Sequence, residues 1–276
     1  MKILAPAKIN IGLNVTRRRE DGYHDIETVF YEIPLYDEME INVVPGEYGT
    51  CRLRLKGIEI EGLATDNLVV KAYDLLNSQY HLPSVDVELN KVIPTKAGLG
   101  GGSSDAAWMI KALNSLFNLN LSDDEMCGYA ARLGADCAFF VLGKCCLASG
   151  KGDVLQPIDI DLAGHYLVLV KPDVDVSTKE AYRHITPAMP AVNLKDAVSQ
   201  PVSRWSELLV NDFEPYAIGK HPVIGNIRQA LLGAGACYAQ MSGSGSAVFG
   251  LFDELPKQLP ETLSNDDSLK IFTMKL

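Results

Sequence analysis

The sequence predicts an α+β protein of two parts, and three observations point there. Apolar alternation of period two marks the first hundred residues. Helical spacing takes over after Gly102. Strands and helices then follow without the strict alternation of a doubly wound parallel sheet. With 276 residues, 47% of them hydrophobic and 22% charged, the chain has enough apolar surface to offset the entropy of ordering it.

Taken in order, Ile9–Val15, Met39–Val43 and Val85–Leu89 alternate as half-buried strands do. Between the last two, Asp66 or Asn67 is the N-cap of a helix over Leu68–Leu76. Ala106, Ala107, Met109, Ile110, Leu113, Leu116 and Phe117 recur at helical spacing, with Ser103 or Ser104 in capping position. Ser122-Asp123-Asp124-Glu125 reads as a capping box that opens the next helix, and Gly134 as its stop. Tyr166–Lys171 is an apolar strand that ends at Pro172. Thr186–Pro201, with three prolines and few large apolar residues, reads as an irregular connection. Pro222–Leu232 is a helix closed by Gly233; Cys237–Met241 and Ala247–Phe252 are strands joined by a turn at Ser242–Ser246. A boundary is expected near residues 155–165, dividing the chain into 1–160 and 161–276.

The net charge of −10 and pI near 5.0 argue against a general nucleic-acid binder, which needs a positive surface to displace counterions. No apolar run long enough to span a membrane occurs, and the N-terminus shows no secretory signal, so a cytoplasmic protein is expected. Cys51, Cys127, Cys137, Cys145, Cys146 and Cys237 form no C-x-x-C pair and read as buried reduced thiols. No metal-ligating cluster is evident.

The densest information lies in Pro94-Thr95-Lys96-Ala97-Gly98-Leu99-Gly100-Gly101-Gly102-Ser103-Ser104. Four glycines in five positions let the backbone approach a ligand closely. The helix that follows presents free N–H groups and the positive end of its dipole, so loop and helix together form an anion site. No Gly-Lys-Ser/Thr closes the loop as in a Walker A sequence, and the third glycine of the dinucleotide fingerprint is missing. A flexible turn that only caps a helix is the competing reading.

This loop resembles the phosphate loop of the GHMP kinase superfamily. Ala5-Pro6-Ala7-Lys8-Ile9-Asn10 and Met241-Ser242-Gly243-Ser244-Gly245-Ser246 match the same superfamily in the same order. The resemblance implies a two-domain fold with the active site in the cleft between domains, and ATP with Mg2+ as co-substrate. Its phosphates would lie on Pro94, Gly98, Leu99, Gly100, Gly101, Gly102, Ser103 and Ser104, with Lys96 and Asn67 on the adenine side. Asp136 stands at the position of the family's catalytic aspartate and Lys8 is its partner. For Asp136, capping of a following element is the alternative.

Asp21-Gly22-Tyr23-His24, coming after Ala-Lys-Ile-Asn, is similar to the branch of the superfamily that phosphorylates a cytidine diphosphate-linked polyol on the non-mevalonate route to isoprenoids. That likeness implies a cytidine pocket from Tyr23, His24 and Phe30, with Asn10 beside the diphosphate and Thr178 and Tyr182 on the other side. Tyr182 reads equally as a core residue on a helix face. Where the family shows Val-Pro after the aspartate, this chain has Cys137-Ala138. The competing functions are a homoserine or mevalonate type of kinase and a non-catalytic nucleotide sensor. The expected partners are thus a small-molecule substrate and ATP, without nucleic acid or membrane, in a monomer or weak homodimer.

Overall fold

The computed structural model describes residues 1–60 and 62–276. They form two compact units, and the chain passes between them more than once. The first holds Met1–Lys8, Leu35–Thr95 and Gly100–Lys144, and the second holds Ile9–Pro34, Lys96–Leu99 and Cys145–Leu276.

The first unit contains the start of strand β1 (Lys2–Arg18) and the later part of β2 (His24–Tyr48). Strand β3 (Cys51–Gly57), helix α1 (Leu68–Tyr80) and strand β4 (Pro83–Lys91) follow. β4 pairs antiparallel with β2, Glu38 opposite Asn90 and Val43 opposite Val85, and parallel with β3, Cys51 opposite Val85. A parallel pair needs a crossover, which α1 provides. Its N-cap is Asn67, whose side chain accepts from Val69 N at 2.9 Å. The period-3.6 face of Val69, Ala72, Tyr73 and Leu76 is wholly buried.

Helix α2 (Gly101–Leu116) buries Ala106, Ala107, Met109, Ile110 and Leu113 beside α1. It starts earlier than the serine-cap reading expects. Gly100, at φ +70°, is the N-cap, because a residue without Cβ turns the chain directly from loop into helix. Ser103 and Ser104 therefore sit inside the first turn, where Ser104 N already donates to Gly100 O at 2.9 Å. Helix α3 (Asp123–Ala131) has the expected capping box: Ser122 N donates to Glu125 Oε2 at 2.8 Å, and Glu125 N to Ser122 Oγ at 3.3 Å. Helix α4 (Cys137–Leu142), missed in the sequence reading, buries Cys137–Val141.

The second unit pairs the early part of β2 with β5 (Cys146–Ser149), Thr28 opposite Ala148, and β5 with β6 (Val154–Pro157). Strand β7 (Tyr166–Pro172) is followed by helices α5 (Thr178–Arg183), α6 (Leu194–Val198), α7 (Val202–Leu208), α8 (Glu214–Lys220) and α9 (Pro222–Gly233). Then come β8 (Tyr238–Met241), β9 (Val248–Phe252), α10 (Glu261–Ser264) and β10 (Leu269–Lys275). The antiparallel order is β10-β7-β9-β8. Val168, Val170, Met241, Val248 and Phe252 from these strands pack with Phe213, Ile224, Ile227 and Leu231 from the helices.

Two expectations need correction here. Ile9–Val15 is buried on both faces, not one. Its polar positions are hydrogen-bonded inward: Asn10 N donates to Ser242 Oγ at 3.1 Å and Gly12 N to Gln240 Oε1 at 2.8 Å. Thr186–Pro201 is not wholly irregular, since Asn193 accepts from Lys195 N and Asp196 N and so nucleates α6. No helix among the described residues is long and apolar enough to cross a membrane.

Leu169, fully buried in β7, is expected to cost about 2–5 kcal/mol when cut to Ala. Ser122→Ala should cost about 1 kcal/mol through loss of the cap. Urea unfolding of both variants beside the parent chain checks the order; a Ser122 loss as large as the Leu169 loss would contradict it.

Candidate active site

In the second unit, the loop segment Lys96–Leu99 is shaped by the late glycine turn. Gly98 has φ +75°, and a Cβ there would lie 2.0 Å from the carbonyl oxygen of Ser242, so no other residue fits. Ser242 Oγ donates to Gly98 O at 2.8 Å, and Ala247 N donates to Ala97 O at 3.3 Å. Asn211, buried and not singled out by any motif, donates from Nδ2 to Met241 O and Gly243 O, both at 2.8 Å. It fixes the turn that fixes the loop. Its only sequence signal is a polar amide between the apolar Val210 and Phe213. Leu99 is buried, while Lys96 is exposed at φ +50°, its Nζ 3.4 Å from Asp175 Oδ2.

In the first unit the glycines bring the terminus of α2 tightly into place. A Cβ on Gly100 would meet the Phe140 ring at 2.9 Å and Lys8 Cε at 3.2 Å; one on Gly101 would meet Ile93 at 3.0 Å. Gly102 is exposed and Ser103 half-buried, in the first turn, where a helix leaves its N–H groups without intrahelical acceptors. Ser104 differs from its neighbour, being fully buried, with no hydrogen-bond partner for Oγ. Pro94 is buried, and Asn67 spends its side-chain oxygen on capping α1.

Lys8 and Asp136 meet in the same unit, Nζ 3.4 Å from Oδ2. Lys8 is 3% exposed, and burial lowers its pKa from 10.5 against the opposing pull of Asp136. Asp136 occupies the N-cap position of α4, yet its side chain makes no capping hydrogen bond. The carboxylate pairs with Lys8 and does not cap the helix. Around it, Cys137 and Ala138 are buried, and the Phe139 and Phe140 rings meet edge to face at 5.1 Å. Packing thus holds the turn where the family has a proline. Burial pushes the Cys137 thiol up to about 11, so it stays protonated.

The second unit also holds a cavity of about 730 Å³, lined by Arg18, Tyr23, His24, Lys151, Thr178 and Tyr182, among others. His24 and Tyr182 stack directly, with centroids 4.8 Å apart and planes at 12°. Two rings flanking a third must stand about twice the usual stacking distance apart, so no third ring fits between His24 and Tyr182 in this arrangement. Tyr182 rests edge-on against Phe213 at 4.9 Å, and Tyr23, 62% exposed, has Lys151 Nζ 5.0 Å from its ring centroid. Burial lowers the His24 pKa, helped by Arg18, so the ring is neutral at pH 7. Thr178 Oγ1 lies 2.7 Å from Ser244 Oγ. Phe30 and Asn10 are not among the lining residues. Phe30 is buried on β2 opposite Cys146, and Asn10 is buried with Nδ2 on Thr28 Oγ1 at 2.9 Å.

Family comparisons match the chain in two stretches. Residues 67–144 match the GHMP kinases N terminal domain, and residues 193–265 match the GHMP kinases C terminal. A 4-diphosphocytidyl-2-C-methyl-D-erythritol kinase of Bacteroides thetaiotaomicron is 51% identical over 256 residues, 93% of either chain. A crystal structure of 4-(cytidine 5'-diphospho)-2C-methyl-D-erythritol kinase superposes with TM-score 0.75 at 33% identity, covering 91% of this chain and 90% of that one. Homoserine kinase from Cytophaga hutchinsonii has TM-score 0.68 at 21% identity over 92% of this chain and 85% of its own, a likeness of fold alone. With such similarity across nearly the whole of both chains, this chain belongs to the 4-diphosphocytidyl-2-C-methyl-D-erythritol kinase family of the GHMP kinases.

Proposed function

We propose that this chain transfers the γ-phosphoryl group of ATP to the 2-hydroxyl of 4-diphosphocytidyl-2-C-methyl-D-erythritol, a step in making isoprenoid precursors. The observation that carries the chemistry is the buried Lys8 on Asp136 beside the glycine-lined terminus of α2. Substrate identity rests on the names of relatives such as the one at 51% identity, and on the aromatic cavity built on Asp21-Gly22-Tyr23-His24.

Phosphoryl transfer to an alcohol is mostly positioning and charge neutralisation. Asp136 accepts the proton of the attacking hydroxyl as the new bond from its oxygen to the γ-phosphorus forms and the bond from that phosphorus to the β,γ-bridging oxygen breaks, with ADP as the leaving group. Lys8, protonated, pairs with Asp136 and draws the hydroxyl toward alkoxide. The first-turn N–H groups at Gly101, Gly102 and Ser103 bind phosphate oxygens, and the Ser103 hydroxyl adds a contact. Ser104, buried, acts through the backbone. Mg2+ arrives with ATP as part of the substrate, in keeping with its preference for nucleotide oxygens and water over protein cages. Once Tyr182 has moved off His24, the two rings take the cytosine between their π-faces, and Lys151 and Arg18 bring positive charge to the diphosphate side.

ADP release from MgATP with the cytidylyl substrate, homoserine and mevalonate in parallel tests the assignment. Turnover with the first compound alone is expected. Turnover with another alcohol would discard the cytidine reading, and nucleotide binding without turnover in any well would favour a sensor. Asp136→Asn should leave both substrates bound and cut kcat at least about a hundredfold; near-normal turnover would sink the base assignment. Because burial lowers the Lys8 pKa, kcat should fall with rising pH from below 10.5 as Lys8 loses its proton. Lys8→Met should abolish that alkaline limb along with most of the rate. Tyr182→Ala should raise KM for the cytidylyl substrate roughly tenfold, as loss of one base stack does, with KM for ATP unchanged.

A further inference from the structure

Behind the phosphate-binding terminus of α2 lies a set of charges that the chemistry above does not use. Asp37 on β2, Lys91 at the end of β4 and Asp105 on α2 are all at most 2% exposed. Lys91 Nζ donates to Asp37 Oδ2 and, at 2.6 Å, to Asp105 Oδ2. Asp37 is fully engaged, since its Oδ1 also accepts from Val92 N at 2.6 Å and Ile93 N at 2.9 Å. Asp105 is not: its Oδ1 is buried and has no partner. The cluster touches the loop directly, because a Cβ on Gly101 would lie 3.3 Å from Asp37 Oδ2.

Two carboxylates share one ammonium. Fully ionised, the set carries one uncompensated negative charge in a buried place, which is costly. One proton removes that charge, and the bonding pattern says where it goes. Asp37 has donors on both oxygens, whereas Asp105 Oδ1 has room for a hydrogen. The uncompensated charge also stands where a polyphosphate is to bind. Helix rise puts Asp105 about 6 Å along the axis from Gly101.

We propose that the Asp37–Lys91–Asp105 cluster positions the phosphate-binding end of α2 and couples nucleotide binding there to the uptake of one proton by Asp105. This rests on the reading of that terminus as the ATP phosphate site. Consistent with it, burial pushes the Asp105 carboxyl up to about 7, with Asp37 adding to the rise and Lys91 opposing it. These two are the charged groups that act on it. Lys91 stays protonated: burial lowers its pKa, but Asp105 and Asp37 together raise it further. The sign then follows. Bound phosphates disfavour the ionised carboxylate, so the Asp105 pKa is higher in the complex. Below pH 7 both forms hold the proton and affinity is flat; above it, affinity falls until the pKa of the complex is passed. One unit charge at such a separation weakens binding roughly tenfold.

Calorimetry of MgATP binding in two buffers of different ionisation enthalpy, from pH 6 to 8.5, tests this. The parent chain is expected to take up about half a proton per nucleotide near pH 7.5, with Kd rising roughly tenfold over the range. Asp105→Asn, a neutral copy of the protonated form, should lose the uptake and keep the low-pH affinity throughout. Proton release by ATP itself is common to both proteins and cancels in the comparison. Asp37→Asn leaves Lys91 facing a single carboxylate and should lose the uptake too, which keeps the test alive if Asp105→Asn does not fold. Equal uptake in parent and variant, or none in the parent, overturns the coupling. Absence of MgATP binding at every pH overturns the ATP reading instead, and the coupling with it.

Discussion

A lysine inside the buried stretch of a strand is the constraint around which one side of the first unit is built. Lys8 cannot stay charged in β1 without a carboxylate, and Asp136 supplies it at 3.4 Å. To do so Asp136 must give up the role its position offers, capping α4. The helix is held instead by its own burial, Cys137 to Val141, and by the ring of Phe140. That ring also bounds the space at Gly100, where only a glycine fits without displacing it or Lys8. Charge pairing, helix start and loop conformation are therefore one arrangement, and a change in any of them is felt in the others.

The second unit solves a different problem, that of keeping a flexible loop in one conformation. Glycine-rich segments lose more entropy on ordering than other sequences. Here the ordering comes from hydrogen bonds of Ser242 to Gly98 and from the grip of Asn211 on Met241 and Gly243. The buried amides and hydroxyls that look like polar intrusions in β1 and β8 are the other half of this lattice, as Asn10 on Ser242 and Gly12 on Gln240 illustrate.

Features set by near neighbours in sequence were legible before the fold was seen. The α1 cap, placed at Asp66 or Asn67, and the Ser122–Glu125 box each depend on a few consecutive residues, and the structure has Asn67 and the box in these roles. Lys8 and Asp136 were legible too, because their motifs resemble known ones. What escaped depends on distant partners. The polar face of Ile9–Val15 reads as solvent-facing until Gln240 and Ser242 cover it. Asp37 and Lys91, 54 residues apart, carry no mark of their pairing. The start of α2 was misplaced because serine is the better cap in general, while this entry needs a positive φ that serine resists. His24 and Tyr182 were both singled out, but their direct stacking depends on the angle at which α5 leaves β7, which no local pattern encodes.

The bond from Ser242 to Gly98 spans 144 residues. A chain emerging from the ribosome in order makes the loop long before the turn that shapes it. Until residue 242 is free of the exit tunnel, the hydrogen bond from Ser242 to Gly98 is missing, and the second unit lacks β8 and β9. Loop closure over that distance is slow, and domains generally fold as units. The bond that shapes the glycine loop thus forms only after most of the chain has been made. A truncation at the C-terminal end that reaches the Ser242 turn removes a partner of a loop encoded in the first half of the chain.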